Sequence, residues 1–306
     1  MNAIVNLSRL NYFLGLVLFV TLMSSFVYAD DLRLIREKTF QVKDWENVYV
    51  NASGADVRVE SWDKQEVYVK IFANRRAEEK MNFDLYQEGE VVKVIAKRRG
   101  SIFNWFGGGL SVRIEIIAPK NYNPHVETSG GDISVANMNG GFKLNTSGGD
   151  VTLKNTNGKV RVETSGGDIS LAAHKGEMQL STSGGDIKCR QTKGDLNAET
   201  SGGDIILETS EGKVNAETSG GDIKIDYSGA NLGLNASTSG GQVHVKIPGD
   251  FKANVHLETS GGGISNNFNN SRSGKVKRGE VDALFNGGGP KLNLETSGGD
   301  IIVDQK

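Results

Sequence analysis

From Thr128 to Asp222 the apolar residues of this chain recur in two pairs every 18 residues. With the repeat numbered from its Thr as zero, one pair falls at +5 and +7: Ile133 and Val135, Val151 and Leu153, Ile169 and Leu171, Ile205 and Leu207, Ile223 and Ile225. The other falls at +14 and +16: Phe142 and Leu144, Val160 and Val162, Met178 and Leu180, Leu196 and Ala198, Val214 and Ala216. Alternation over a few positions between Gly-rich turns predicts short, half-buried strands, and so dense a glycine content opposes helix. Each 18-residue unit therefore reads strand, turn, strand, turn.

The turns repeat as well. Thr-Ser-Gly-Gly begins at Thr128, Thr146, Thr164, Thr182, Thr200 and Thr218, followed each time by Asp, and returns with Asp at Thr296. Looser copies start at Thr238 and Thr259. One unit cannot bury its few inward residues, so equivalent strands must stack. The expected fold is all-β: a parallel β-solenoid (β-helix or β-roll) with 18-residue coils of two short strands each, capped by an irregular N-terminal β region. Strands stacked about 4.8 Å apart in two sheets roughly 10 Å apart would make a flat rod. The Gly pair at +2 and +3 is expected to take positive φ at the corner. Thr at zero continues the inward alternation and predicts a buried hydroxyl ladder.

Outside the coils the pattern loosens. Residues 30–120 alternate as strands of uneven length, and Ser53-Gly54-Ala55-Asp56 reads as a decayed copy of the turn. The coils occupy 121–260, and 261–306 holds irregular coils and the closing repeat. Ending on a repeat strand, Ile301-Ile302-Val303, predicts a free edge at which a second copy could associate. Residues 1–29 carry Arg9, an apolar run from Tyr12 to Val27 and a small-residue site ending at Ala29, the pattern of a signal peptide. Export to the periplasm, cell surface or medium is expected, with membrane contact only if the segment stays uncleaved.

Charge narrows the partners. Lys plus Arg total 35 against 37 Asp plus Glu, which predicts no nucleic-acid or other polyanion partner. Cys189, at +7, takes an aliphatic slot and reads as a buried thiol. The aromatic loop with Phe103, Trp105 and Phe106 reads either as a partner-binding tip or as a plug folded onto the rod.

Position +4 is Asp at Asp132, Asp150, Asp168, Asp186, Asp204 and Asp222. Stacked carboxylates about 4.8 Å apart repel by roughly 1 kcal/mol per pair in water. Either turn amides compensate them or a line of cations, Ca²⁺ among the candidates, lies between them. No cofactor is otherwise called for. His125, His174, His244 and His256 occupy different repeat positions without metal-ligand spacing, and the Ser residues sit in turns with no nucleophile elbow.

Ala118-Pro119, the repeated Thr-Ser-Gly-Gly-Asp-Ile and the closing Gly288-Gly289-Pro290-Lys291-Leu292-Asn293-Leu294-Glu295-Thr296 together resemble a large bacterial family of exported β-strand-repeat proteins regarded as adhesin-like and otherwise of unknown function. The resemblance implies a solenoid at the cell envelope and supplies no catalytic residues. The expected function is a non-enzymatic adhesin-like scaffold whose repetitive polar surface, Ser at +1 and Asp at +4, meets an envelope protein or glycan. Two readings compete with it: a carbohydrate-active enzyme using Asp84, Glu88 and Glu90, and a sensor or accessory protein of an envelope-stress system docking through residues 30–120.

Overall fold

The computed structural model describes residues 32–100 and 109–306. The signal segment and the Phe103, Trp105 and Phe106 loop lie outside the described residues. Residues 32–306 form one compact unit. Its strands make two sheets, a front sheet of 13 strands and a back sheet of 14, and each repeat contributes one strand to each.

The registers follow the repeat. In the front sheet Val151 stands between Ile133 and Ile169, and Ile187 between Ile169 and Ile205, all parallel. In the back sheet Val160 stands between Phe142 and Met178. These rows are buried and belong to one continuous core between the sheets. Because the inward residues of a coil are completed only by the coil above and below, stacking is the step that removes apolar surface from water.

The front strand runs further than the apolar pattern predicts. In the coils of Thr146, Thr164 and Thr182 it continues to +11, with Asn155, Ala173 and Gln191 in the left-handed region (φ 52°, 54° and 52°). That kink resets the alternation, so that +10 turns inward, where Thr156, His174 and Thr192 are buried. Gly158 then turns the chain with φ 130°.

The corner glycines behave differently from the expectation. Neither Gly148 nor Gly149 has positive φ, and the same holds in the neighbouring coils. What demands glycine at +3 is close approach. A Cβ on Gly149 would overlap the carbonyl of Gly131 one coil earlier, and one on Gly167 that of Gly149. At +2 the space is open: a Cβ on Gly148 would sit 3.9 Å from Gly130 Cα.

At both ends the stack departs from chain order. The strands Asn47–Ala52 and Asp56–Trp62 form the first coil, yet they lie inside the rod. The later Val91–Arg98 and Val112–Pro119 flank them on one side, and Asn123–Glu127 and Ile133–Ala136 on the other. The decayed turn is in register, with Thr128 Oγ1 donating to Ala55 O at 2.9 Å. Antiparallel strands Arg33–Gln41, Glu66–Ala73 and Met81–Glu88 cover that end, joined in part by a short helix, Arg75–Lys80, capped by Asn74.

The C-terminal end mirrors this and corrects the expectation of a free closing strand. Lys291–Thr296 lies between Leu234–Thr238 and Ala253–Thr259, and Ile301–Gln305 lies between Val243–Ile247 and Ile264–Asn267. The closing repeat is thus the second coil from the end. The long spacing before it is spent on an antiparallel hairpin, Ser271–Lys277 and Glu280–Phe285, added outside Ala253–Thr259. At this end the front sheet stops at the four-residue strand Ile264–Asn267 and the back sheet at Ser271–Lys277, whose length and lysines respectively discourage open-ended growth.

Candidate functional site

Two faces of the rod present repeated polar chemistry. The first is the corner after Gly-Gly. There each Asp Oδ1 accepts the backbone N–H of the equivalent residue one coil later: Asp132 from Asp150 at 2.9 Å, Asp150 from Asp168 at 2.8 Å, Asp168 from Asp186 at 2.8 Å and Asp186 from Asp204 at 2.8 Å. Asp204 accepts from Asp222 at 2.8 Å, and Asp222 from Gln242 at 2.7 Å. Asp56 begins the row by accepting from Asp132 at 3.1 Å, and its burial raises its carboxyl above the usual range against the pull of that N–H. Lys188 Nζ stands 2.9 Å from Asp186 and 3.9 Å from Asp168, and its bond holds the Asp186 carboxyl down. Backbone donors and one lysine thus offset the like-charge row.

Beneath the corner lies the hydroxyl ladder. Thr146 Oγ1 donates to Gly131 O at 3.0 Å and accepts from Gly149 N at 3.3 Å; Thr164 repeats this with Gly149 O at 3.1 Å and Gly167 N at 3.3 Å. The hydroxyls are buried, so this corner fastens coil to coil.

The second face is the outside of the back sheet, at +15 and +17. Asn215 Nδ2 donates to Asn197 Oδ1 at 2.8 Å and to Glu217 Oε1 at 2.9 Å. Asn235 Nδ2 donates to Asn215 Oδ1 at 2.7 Å, and Asn293 Nδ2 to Asn235 Oδ1 at 2.8 Å and Glu295 Oε1 at 2.5 Å. Asn197 closes the pattern on Glu199 at 2.6 Å. Both hydrogens of Asn215 and Asn293 are committed, so the row is held in one rotamer and the flanking carboxylates are aimed. At the end of the row Asn293 Oδ1 is buried and accepts no bond among the described residues. An open groove of about 610 Å³ runs along this row, rimmed by Glu177, Asp195, Lys213 and Lys291.

The sequence reading named the Asp row and passed over the Asn row. A signal existed: Asn recurs at 197, 215, 235 and 293 and Glu at 199, 217 and 295, always flanking the same strand position. Alternation marked those positions only as outward.

Other candidates separate in space. Asp84 lines a second cleft, of about 320 Å³, with Glu78, Arg36 and Arg99. Glu88 pairs instead with Lys93, which lowers its carboxyl, and neither Glu88 nor Glu90 lines that cleft. Among the described residues, the three-residue group with ligand atoms within 4.8 Å is His256, Glu280 and Asp282. There His256 Nδ1 stands 2.8 Å from Asp282, which raises the imidazole and is itself lowered, while Lys275 holds Glu280 at 3.0 Å. This is an ion-pair network completed by lysine.

Each remaining histidine has a partner, His244 standing 2.8 Å from Asp304, and the thiol is buried. His174 is buried, its Nδ1 2.9 Å from Thr156 Oγ1 and its Nε2 3.1 Å from Gly158 O, and burial lowers it to about 4. His125 pairs with Glu127 at 3.0 Å and stacks edge-on against Tyr49. Burial pushes the Cys189 thiol up to about 12.

Comparison with known proteins places these features in context. No curated protein matches the sequence. Among solved structures, an adhesin candidate from Bacteroides fragilis shares 11% identity over 90% of this chain and 97% of its own, with a TM-score of 0.45. A candidate lipid-binding protein from Parabacteroides distasonis shares 14% over 89% and 96%, with a TM-score of 0.44. A candidate cell adhesion protein from Clostridium sporogenes shares 10% over 90% and 100%, with a TM-score of 0.25. Residues 45–304 match the model of the Toastrack DUF4097 family, and with that span the chain belongs to it.

Proposed function

We propose that the protein is a non-enzymatic, adhesin-like scaffold of the cell envelope that binds an extended glycan along the outside of its back sheet. The observation that carries this is the Asn197, Asn215, Asn235 and Asn293 row, bonded amide to amide and flanked by Glu199, Glu217 and Glu295. Sugar hydroxyls both donate and accept, so carboxylates and amides held in fixed positions suit them, at little ordering cost on the protein side. The strands repeat about every 4.8 Å, so a chain of similar sugar units laid along the stacking axis meets equivalent groups coil after coil.

Export to the envelope rests on the Tyr12 to Val27 apolar run and the Ala29 site. Among the described residues no helix is long and apolar enough to cross a membrane. The test is retention on insoluble envelope polysaccharide. The full chain is expected to be retained, and the Asn215→Ala, Asn235→Ala double variant to lose at least tenfold in affinity while still melting cooperatively. Retention unchanged by the double variant, or no retention of the parent on any envelope polysaccharide, would remove the proposal.

A further inference from the structure

The closing coil occupies a slot whose walls match each other. Leu234, Leu292 and Val255 form one row, Ala236, Leu294 and Leu257 the next, and Thr238, Thr296 and Thr259 the third. In the front sheet Val243, Ile301 and Ile264 align likewise. The corner chemistry is continuous: Thr296 Oγ1 donates to Gly241 O at 2.8 Å, and Thr259 Oγ1 to Gly299 O at 2.9 Å. Removing residues 291–305 would therefore bring Thr259 over Thr238 in the register that every other coil uses.

Chain length permits that closure. Thr238 and Thr259 are 21 residues apart, against 18 to 20 for coils that stack directly. A slot that closes upon itself exposes no ladder of unpaired backbone groups when the coil leaves, which is the usual barrier to releasing a central strand. The walls are also complete in sequence before residues 291–305 are made. The closing coil hangs on a short hinge, Asn286 to Pro290, in which Asn286, Gly287 and Gly288 have φ of 48°, 85° and 98°.

The contacts that retain the coil do not depend on which chain supplies it. Asn231 Nδ2 donates to Lys252 O at 2.9 Å and to Pro290 O at 2.8 Å, and Lys306 reaches Ser228 Oγ at 2.8 Å and pairs with Asp226. We infer that the slot between the Thr238 and Thr259 coils is an exchangeable acceptor site, whose partner is a second copy of this chain donating its residues 291–305. Each copy then fills the other's slot across a two-fold axis, and the five-residue hinge reaches up to about 17 Å. This rests on strand order alone and is independent of the glycan reading.

The experiment is a disulfide trap in the full chain. Asn235 and Asn293 are opposed in adjacent strands, so the Asn235→Cys, Asn293→Cys pair joins a coil to its slot whichever copy supplied it. Asn197 and Asn215 are opposed in the same way in the middle of the stack, where no chain end is near, and the Asn197→Cys, Asn215→Cys pair is the control. After incubation at rising concentration and then oxidation, the first pair is expected to give a covalent dimer whose share grows with concentration, and the control only monomer. The unsubstituted protein, mixed as light and isotope-labelled forms, is expected to give a dimer of mixed mass by native mass spectrometry. Monomer alone from the first pair at every concentration, equal dimer from both pairs, or no mixed dimer from the parent would overturn the inference.

Discussion

Gly149 lies so close to Gly131 that a Cβ on the first would overlap the carbonyl oxygen of the second. The neighbouring Gly148 faces open space. Since the overlap is with backbone, relief requires the two coils to separate locally. Gly149→Ala is expected to destabilise by about 2 kcal/mol or more, and Gly148→Ala by under about 1 kcal/mol, measured by urea unfolding. Equal effects at the two positions would contradict the account of the corner.

The Thr164 hydroxyl both donates to Gly149 O and accepts from Gly167 N inside the core. Thr164→Val keeps the shape and removes both bonds, stranding a buried carbonyl and amide. A loss of about 1 to 3 kcal/mol is expected. Thr164→Ser keeps the hydroxyl and is expected to lose less; denaturant midpoints of the three proteins check the order.

The Asp row is expected to be indifferent to chelators, because the Oδ1 of Asp168 already has a backbone donor in Asp186. Asp168→Asn keeps an acceptor and is expected to melt near the parent, whereas Asp168→Ala loses the bond at about 1 kcal/mol. A melting temperature that falls on chelation and recovers with Ca²⁺ would instead place cations along the corner.

His174 ties stability to pH. Burial lowers its folded value from 6.5 to about 4, so protonation favours the unfolded chain. Its contribution is complete above about pH 6.5, is lost as pH falls toward 4, and changes no further below that. A shift of this size corresponds to on the order of 3 kcal/mol. His174→Thr, which copies Thr156 and Thr192 of the same row, is expected to flatten the stability profile between pH 6.5 and 4. An unchanged slope would show that other groups carry the acid sensitivity.

Much of the fold is legible from residue types alone. Ile133, Val151 and Ile169 share one sheet because identical units placed at equal spacing have one mutual arrangement that buries them all. Thr146 and its equivalents point inward by the same parity. The +10 position escaped that reading because the left-handed Asn155 shifts the alternation by one residue, and the residues it turns inward, Thr156 and His174, carry no apolar signal. The Asn row escaped because outward parity does not distinguish a bonded ladder from an ordinary solvated surface.

What this sequence determined by itself is the coil: its length, its two strands, its inward residues at +5, +7, +14 and +16 and the place of its corner, since these depend on neighbours along the chain and on one identical unit above and below. The order of the coils at the two ends was decided only in three dimensions. Coils with the same inward rows fit each other in any order, so local pattern cannot tell whether Thr296 follows Thr259 or slips between it and Thr238. The choice falls to contacts between segments distant in sequence, such as Asn231 with Pro290 and Lys306 with Ser228, which hold the closing coil inside.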